Sequence, residues 1–309
     1  MEQDFVYERT EGGIRIVRCY GTGSQVVVPR EIEGVPVTEL SAYAFAEEME
    51  GEPPNRSGLP CICGASLEAL FLPDTIRRLG RYLFYNCIHF STLSFYSNIA
   101  SMGAGAFTGC TRLSRLILHQ KEGQSCLREI LQDLRQSVRV DAFLPGESSL
   151  AYRLMYPEFF EEAVENTPAR IISTQTHGMG IQYRNTFRNT QVVFQEYDHL
   201  FQMGKYNIDI ISMIEIASAR LQYPYALDGL ARGEYSSCLR QHLRQAAAYF
   251  LEQEETEALQ WLAEDFAETR EEVELLVQEA NSRGDAGALS RLLHVLHSRF
   301  PGKKKRFAL

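Results

Sequence analysis

Cysteines are the residues of this sequence whose type and spacing could most directly do chemistry. Cys87 and Cys110 stand 23 residues apart, and Cys61 and Cys63 form a C-x-C pair. Neighbouring thiols can form a disulfide or bind a soft metal, but a zinc site needs further ligands that no fixed spacing supplies here. The seven cysteines are odd in number and dispersed, which favours free thiols that pack as small hydrophobic side chains. We therefore predict no metal site and no cofactor.

The histidines do not complete a catalytic site by sequence. His177 precedes a glycine-containing turn over residues 178–180, yet no nucleophile and no orienting group can be assigned beside it. His294 and His297 share one helical stripe without an acidic or cysteine partner, so a polar helix face is the default interpretation. We predict no catalytic residues and no enzymatic activity.

Composition and charge exclude some classes of partner. The chain has 309 residues, of which 45% are hydrophobic and 23% charged, and its net charge is −9. General nucleic-acid binding needs many Lys and Arg side chains to neutralise phosphates, so no nucleic-acid partner is expected, and the basic run at residues 303–306 is interpreted as a solvated terminus. The sequence contains neither a secretory signal pattern nor a run of about 18 apolar residues, so we expect a cytoplasmic protein without a membrane partner.

The elements that position these residues follow one pattern that recurs every 23 residues between Leu67 and Leu118. Apolar triplets with L-x-x-L-x-L spacing carry it: Leu67, Leu70, Leu72; Phe90, Leu93, Phe95; Leu113, Leu116, Leu118. A second set keeps the same register: Ile76, Leu79, Phe84, Cys87; Ile99, Met102, Phe107, Cys110. A period of about 20 to 29 residues with this spacing marks a leucine-rich repeat, whose units bury their apolar faces by stacking. We predict a short β-solenoid in which Cys87 and Cys110 belong to a buried ladder.

The first repeat is stretched. A turn at Gly12-Gly13, followed by two β-branched runs, suggests a capping hairpin before it. Phe45 and Phe84 occupy equivalent positions but are 39 residues apart, and the Gly- and Pro-containing residues 47–63 hold the excess. We interpret that segment as a loop outside the strand ladder.

After Leu118 the repeat gives way to a helix and one more strand. Residues 127–134 have helical spacing with Ser125 as N-cap, and Val138-x-Val140 falls where the next strand would start. Residues 1–143 are therefore predicted as a leucine-rich repeat solenoid with an N-terminal cap and a C-terminal capping helix.

The remainder divides into a connector and a helical region. Residues 144–204 are predicted as a mixed connector that includes a helix over residues 150–165. Residues 205–309 have helical periodicity throughout, and Ala258, Leu259 and Leu262 recur 30 residues later as Ala288, Leu289 and Leu292. Such a period is typical of helix-turn-helix arrays. The predicted fold class is α+β: a short N-terminal leucine-rich repeat β-solenoid followed by an α-helical repeat-like domain.

The repeat unit I-x-x-L-G-x-x-x-F-x-x-C-x-x-L-x-x-L-x-L resembles the BspA-type leucine-rich repeat family. The chain carries it as Ile76, Leu79, Gly80, Phe84, Cys87, Phe90, Leu93, Phe95, and again as Ile99, Met102, Gly103, Phe107, Cys110, Leu113, Leu116, Leu118. The resemblance spans roughly residues 10 to 120. It implies a bacterial protein, and members of the family are often displayed on the cell surface, where they bind host or matrix proteins.

Within each triplet the intervening side chains should point outward and form a partner-binding surface. This predicted row contains Glu68, Phe71, Ser91, Ser94, Arg115 and Ile117. We expect a non-enzymatic scaffold that binds a protein partner through its solenoid surfaces. Two alternatives stay open: a ligand-binding or enzymatic module in residues 141–204 built around His177 and an acidic helix at Glu158–Glu165, and an exported surface adhesin.

Overall fold

Parallel strand ladders organise the N-terminal half of the computed structural model, which describes residues 2–121, 123, 125–166, 171–204 and 207–301. The chain divides into two units, Met1–Asn207 with Tyr223–Ala226, and Ile208–Gln222 with Leu227–Leu309. The predicted fold class, α+β with a solenoid followed by helices, is confirmed.

The first unit contains mostly short strands. In chain order they are β1 (Gln3–Thr10), β2 (Gly13–Gly21), β3 (Gln25–Val27), β4 (Glu31–Ile32), β5 (Val35–Leu40), β6 (Ala69–Phe71), β7 (Arg78–Leu79), β8 (Thr92–Tyr96), β9 (Ser101–Met102), β10 (Arg115–His119), β11 (Val138–Phe143), β12 (Tyr152–Tyr156), β13 (Phe160–Asn166), β14 (Ile171–His177), β15 (Phe187–Arg188) and β16 (Gln191–Val192). Its helices are α1 (Leu127–Asp133), α2 (Gly180–Arg184) and α3 (Phe194–Gly204).

Two sheets form the walls of the solenoid. One has the order β1-β2-β5-β7-β9, with β4 beside β5, and the other has the order β12-β11-β10-β8-β6-β3. In the second sheet, the predicted inward residues Leu70, Leu93 and Leu116 stand in register with three further residues: Val26, Val140, Leu154. All six are completely buried, so the predicted apolar ladder is confirmed and extends beyond the repeats that show it in the sequence.

An N-terminal hairpin is present, but it differs from the expected one. The two β-branched runs lie in β2 and β3, and these strands belong to different sheets. β2 pairs instead with the more polar β1, antiparallel, around the predicted turn at Gly13.

Phenylalanines and cysteines stack between the two sheets. The Phe84 ring lies 5.7 Å from that of Phe45 and 5.2 Å from that of Phe107, centroid to centroid. The buried Cys87 thiol donates to the Phe45 carbonyl at 3.2 Å, and the Cys110 thiol donates to the Phe84 carbonyl at 3.1 Å. The predicted burial of both cysteines is confirmed, and each thiol bonds to the backbone of the preceding turn.

The repeat glycines allow successive turns to approach closely. A Cβ atom at Gly80 would lie 2.3 Å from the backbone nitrogen of Ala42, and one at Gly103 would lie 2.2 Å from that of Arg81. Both distances are shorter than any real Cβ contact, which explains why the repeat unit needs glycine after the leucine position.

The predicted loop at residues 47–63 is anchored to β2 by a buried arginine. Arg18 donates to the carbonyls of Tyr43, Ala44, Ala46 and Glu47, and to the Glu52 carboxylate at 3.1 Å. Cys61 makes a single antiparallel bridge to Tyr20, so the end of the loop does touch a strand.

Residues 150–165 form strands, so the helix predicted there is wrong. β12 adds antiparallel to β11, and β13 pairs with β14 in a separate hairpin. The capping helix begins at Leu127 with Cys126 as its N-cap, so the N-cap predicted at Ser125 is wrong by one residue, although the Ser125 hydroxyl accepts from the Leu127 N–H at 3.3 Å. Val138 and Val140 lie in β11, as predicted.

The second unit consists of paired helices over its described residues, 208–222 and 227–301. They are α4 (Ile210–Gln222), α5 (Gly229–Gln241), α6 (Leu243–Glu252), α7 (Thr256–Asp265), α8 (Arg270–Ser282) and α9 (Ala286–Arg299). α4 packs on α5, α6 on α7 and α8 on α9, while α6 also contacts α4 and α8. The predicted repeat positions Ala258 and Ala288 are buried in α7 and α9. The turns before these helices match as well, because Glu254 and Gly284, 30 residues apart, both have positive φ.

Candidate functional site

The outward side chains of β6, β8, β10 and β11 form one surface, which we call the strand face. Its first row is Ala69, Thr92, Arg115, Arg139; its second is Phe71, Ser94, Ile117, Asp141; its third is Tyr96, His119, Phe143. Arg153 of β12 lies opposite Asp141 and extends the second row. Neighbouring strands are about 4.8 Å apart, so side chains of the same row lie side by side.

The structure places most of the predicted residues on this surface or at its rim. Arg115 is exposed, and Phe71 and Ile117 are half-buried. Glu68 is exposed just before β6, where its carboxylate accepts from the Ser24 hydroxyl at 2.8 Å. Ser91 is half-buried just before β8, and its hydroxyl donates to the Glu68 carbonyl.

Ser94 corrects the prediction, because only 6% of it is exposed. It is a small residue between the larger Phe71 and Ile117 of the adjacent strands, and its hydroxyl lies 3.3 Å from His119 Nε2. Ser94 therefore forms the floor of a notch between two apolar side chains.

Three arginines converge on the buried Asp141 carboxylate. Arg153 Nε donates to Oδ1 at 2.6 Å, Arg139 Nε at 3.0 Å, and Arg115 Nη2 lies 3.4 Å from Oδ2. Burial alone would raise the pKa of Asp141, but hydrogen bonds and charges from Arg139 and Arg153 outweigh it and hold the pKa below its ordinary value. Arg115 makes the longest of the three contacts, and 51% of its side chain is exposed, so it can donate to a second carboxylate.

We expect Asp141→Asn to lower the free energy of unfolding by about 2 kcal/mol at neutral pH, because hydrogen bonds to a charged group are lost. The pKa of Asp141 is lower in the folded state than in the unfolded chain, so this stabilisation is present above the ordinary pKa of 3.8 and is lost as the pH falls through the folded value. Urea unfolding of wild type and Asp141→Asn at several pH values across this range measures the difference between their free energies of unfolding. Glu8→Gln, at an exposed carboxylate, is the control. If the difference in free energy between wild type and Asp141→Asn stays constant on acidification, the stabilisation by the ionised Asp141 is contradicted.

An aromatic ladder forms the third row of the strand face. The His119 ring stacks on Tyr96 at 4.8 Å and on Phe143 at 5.2 Å, centroid to centroid. Burial lowers the pKa of His119, so the neutral imidazole is favoured. A serine hydroxyl beside a histidine could act as a nucleophile and base. Here both faces of the imidazole are covered and Ser94 is buried. The pair is therefore better suited to holding the stacked rings in position than to catalysis.

A cavity of about 300 Å³ adjoins the ladder. Tyr96, His119 and Phe143 line one side, and the segment Leu144–Glu147 lines the other. Lys121 Nζ lies 5.3 Å from the Tyr96 ring centroid and 2.8 Å from the Asp74 carboxylate, so its charge is already paired.

Side chains form hydrogen bonds with backbone groups at both edges of this sheet. The Gln3 amide donates to the Gln25 carbonyl at 2.6 Å and accepts from the Val27 N–H on β3. At the opposite edge, the Tyr197 hydroxyl bonds to both the N–H and the carbonyl of Met155 on β12. Because exposed edges attract further strands, these contacts favour recognition through the face of the sheet.

The structure does not assemble a catalytic site around His177. Its ring stacks on Phe160 at 4.6 Å, and Nε2 lies 3.4 Å from the Glu162 carboxylate, both on the β13–β14 hairpin. Glu158 precedes this hairpin, and the side chains of residues 164–173 lie outside the described ones. Within residues 2–121, 123, 125–166, 171–204 and 207–301, no group of three metal-ligating side chains is present and no helix is long and apolar enough to cross a membrane.

Sequence reasoning missed several residues of the strand face. Arg139 and Asp141 could have been found by extending the outward row to the predicted strand at Val138, one repeat after Arg115. Arg153 could not, because its segment carries a helical pattern and joins the sheet only through β12.

Comparison with known families matches residues 60–130 to the BspA-type leucine-rich repeat region, in six copies. A leucine-rich repeat protein of T. pallidum is 22% identical, with a TM-score of 0.21, over 40% of this chain and 75% of that one. A leucine-rich cell surface protein of Faecalibacterium prausnitzii A2-165 is 15% identical, with a TM-score of 0.26, over 45% of this chain and 40% of that one. A search of curated proteins gave no match. Residues 60–130, whose strands and turns stack in the register described above, therefore match the BspA-type leucine-rich repeat region.

Proposed function

We propose that the strand face binds a protein segment that carries carboxylate and apolar side chains. Leucine-rich repeat folds commonly mediate protein–protein interaction or surface adhesion. The single observation that carries this proposal is the placement of Arg115, half-exposed and only loosely bonded to Asp141, beside the apolar notch at Ser94.

Charge and shape both support this class of partner. The chain as a whole has a net charge of −9, yet this face gathers three arginines around one carboxylate. A carboxylate of the partner could accept hydrogen bonds from Arg115, while an apolar side chain fills the notch between Phe71 and Ile117. Arginine and aromatic side chains often dominate the binding energy of interfaces.

The test is a peptide-display selection on the whole protein, followed by affinity measurement with the enriched peptides. We expect enrichment of acidic peptides with one or two apolar residues. Arg115→Glu should weaken their binding about tenfold or more, as for other central interface arginines. Arg112→Glu, an exposed arginine three residues earlier, has the same effect on net charge and should change affinity by about twofold or less.

Enrichment of basic peptides, or equal weakening by Arg112→Glu, would overturn the proposal. Ile117→Ser serves as a second variant, because it removes apolar contact in the notch without changing charge. Affinity that survives both Arg115→Glu and Ile117→Ser would place the binding surface elsewhere.

This proposal includes the predictions that the protein is a non-enzymatic scaffold, bacterial and cytoplasmic. It is favoured over a module around His177, because that histidine contacts an aromatic ring and one carboxylate on an exposed hairpin and lines neither the cavity beside the ladder nor the Asp141 cluster. An exported adhesin would use the same strand face, and the display experiment applies to it unchanged.

A further inference from the structure

Cys61 and Cys63 lie on the same side of an extended segment. Cys61 bridges to Tyr20, and Cys63 has extended backbone angles, φ −152° and ψ 166°. The intervening Ile62 is buried, and its N–H donates to the Cys19 carbonyl at 2.9 Å. Because side chains alternate along extended backbone, an inward Ile62 turns both flanking thiols the other way. Both cysteines are half-buried, in contrast to the other five.

The guanidinium of Arg18 is a positive neighbour of these thiols, and the Glu52 carboxylate paired with it partly offsets its charge. Hydrogen bonding between the two thiols, together with the Arg18 charge, lowers the pKa of Cys63 to about 7, while the same hydrogen bond raises that of Cys61. Burial raises the pKa of the thiols at Cys19 and Cys110 to about 12. The thiolate is the reactive form, so reactivity concentrates at Cys63.

We propose that Cys61 and Cys63 form a dithiol site that reacts with small disulfides, such as oxidised glutathione, and closes into an intramolecular disulfide. The site is separate from the strand face and does not depend on its partner.

The reaction proceeds through two thiol–disulfide exchange steps. The Cys63 thiolate attacks one sulfur of the small disulfide, which forms a mixed disulfide and releases one small thiolate. The Cys61 thiol then loses its proton to solvent and attacks the Cys63 sulfur, which releases the second small thiolate. The protein loses two hydrogens and two electrons, and the small disulfide is reduced to two thiols.

Backbone geometry predicts that this disulfide is easily reduced. Two residues of extended chain span at most about 7 Å between the first and third Cα atoms, which is near the upper limit for a disulfide. Strained disulfides have more oxidising potentials and exchange readily. The closed form should therefore return to the dithiol when reduced glutathione is in excess.

The test is mass spectrometry of the full-length protein after incubation with oxidised glutathione, with peptide mapping of every cysteine. Wild type should lose two hydrogens in the peptide that contains both cysteines and retain no glutathione. Cys61→Ser should trap one glutathione on residue 63, whereas Cys63→Ser should react about tenfold more slowly, because residue 61 is protonated at neutral pH. Melting curves of both serine variants confirm that they fold.

A stable glutathione adduct on wild type without closure would overturn the proposal. So would equal reaction rates of wild type and Cys63→Ser, or preferential labelling of a buried cysteine. A pH profile of alkylation adds an independent readout: Cys63 should reach half its maximal rate near its pKa of about 7. A midpoint at the ordinary thiol value would contradict the assignment of Cys63 as the reactive thiol.

Discussion

Arg184→Met is expected to lower the free energy of unfolding by about 3 to 5 kcal/mol, because several buried hydrogen bonds from a charged donor are lost. Arg184 is completely buried on α2. Its guanidinium donates to five carbonyls: Leu131, Leu134, Gln136, Pro157 and Gly180. Methionine fills similar volume but donates to none of them, and a buried carbonyl without a partner is costly.

The position of these carbonyls explains the size of the effect. Leu131 and Leu134 end the capping helix, Gln136 precedes β11, and Pro157 follows β12. Arg184 thus joins the capping helix to the last strand of the solenoid. Burial lowers its pKa to about 10, so it stays charged at neutral pH. The Phe159 ring lies 5.0 Å away and adds a cation–π contact.

Urea unfolding of Arg184→Met beside Arg188→Met measures this effect. Arg188 is four residues away, 79% of its side chain is exposed, and its ion pair with Glu196 is 3.7 Å long, so its loss should cost about 1 kcal/mol or less. Arg184→Lys keeps the charge but presents fewer donors, and should recover only part of the loss. Equal stability of Arg184→Met and Arg188→Met would show that the carbonyls find other partners.

Phe84→Ala is expected to cost about 3 to 5 kcal/mol, as for other buried aromatic truncations. Phe84 is completely buried and contacts Phe45, Phe90 and Phe107, with a centroid distance of 4.8 Å to Phe90. The repeats bury their apolar faces only by stacking, so a cavity at Phe84 weakens the contacts with the turns on both sides. Phe107→Ala, one repeat later, should behave similarly.

Tyr85→Ala is the control for this experiment, because Tyr85 is the adjacent aromatic residue but 40% exposed. Its edge contact with Tyr82 should contribute about 1 kcal/mol or less. Should Phe84→Ala unfold at the same urea concentration as the parent, the stacked register of the phenylalanines would be wrong.

Sequence periodicity predicted burial correctly wherever local spacing determines which side chains point inward. The triplets around Leu70, Leu93 and Leu116 predict the buried ladder because their spacing repeats with the strands that carry them. Periodicity predicted the wrong secondary structure over residues 150–165. There the residues have helical spacing, but β12 pairs with β11 and β13 pairs with β14. Strand preference depends on neighbours, and the sequence does not show that β11 has a free edge.

The sequence by itself determined the repeat period, the inward ladder, the phenylalanine stack and the outward position of Phe71, Arg115 and Ile117. These features depend on spacing within one repeat and on the stacking of like positions. Only the tertiary structure decided the surroundings of the buried arginines and of the thiols. Apart from Gly180, four residues away, Arg184 reaches carbonyls 27 to 53 residues away along the chain, and Arg18 reaches those 25 to 29 residues away. Such contacts form only when distant segments pack together, so no local pattern can predict them.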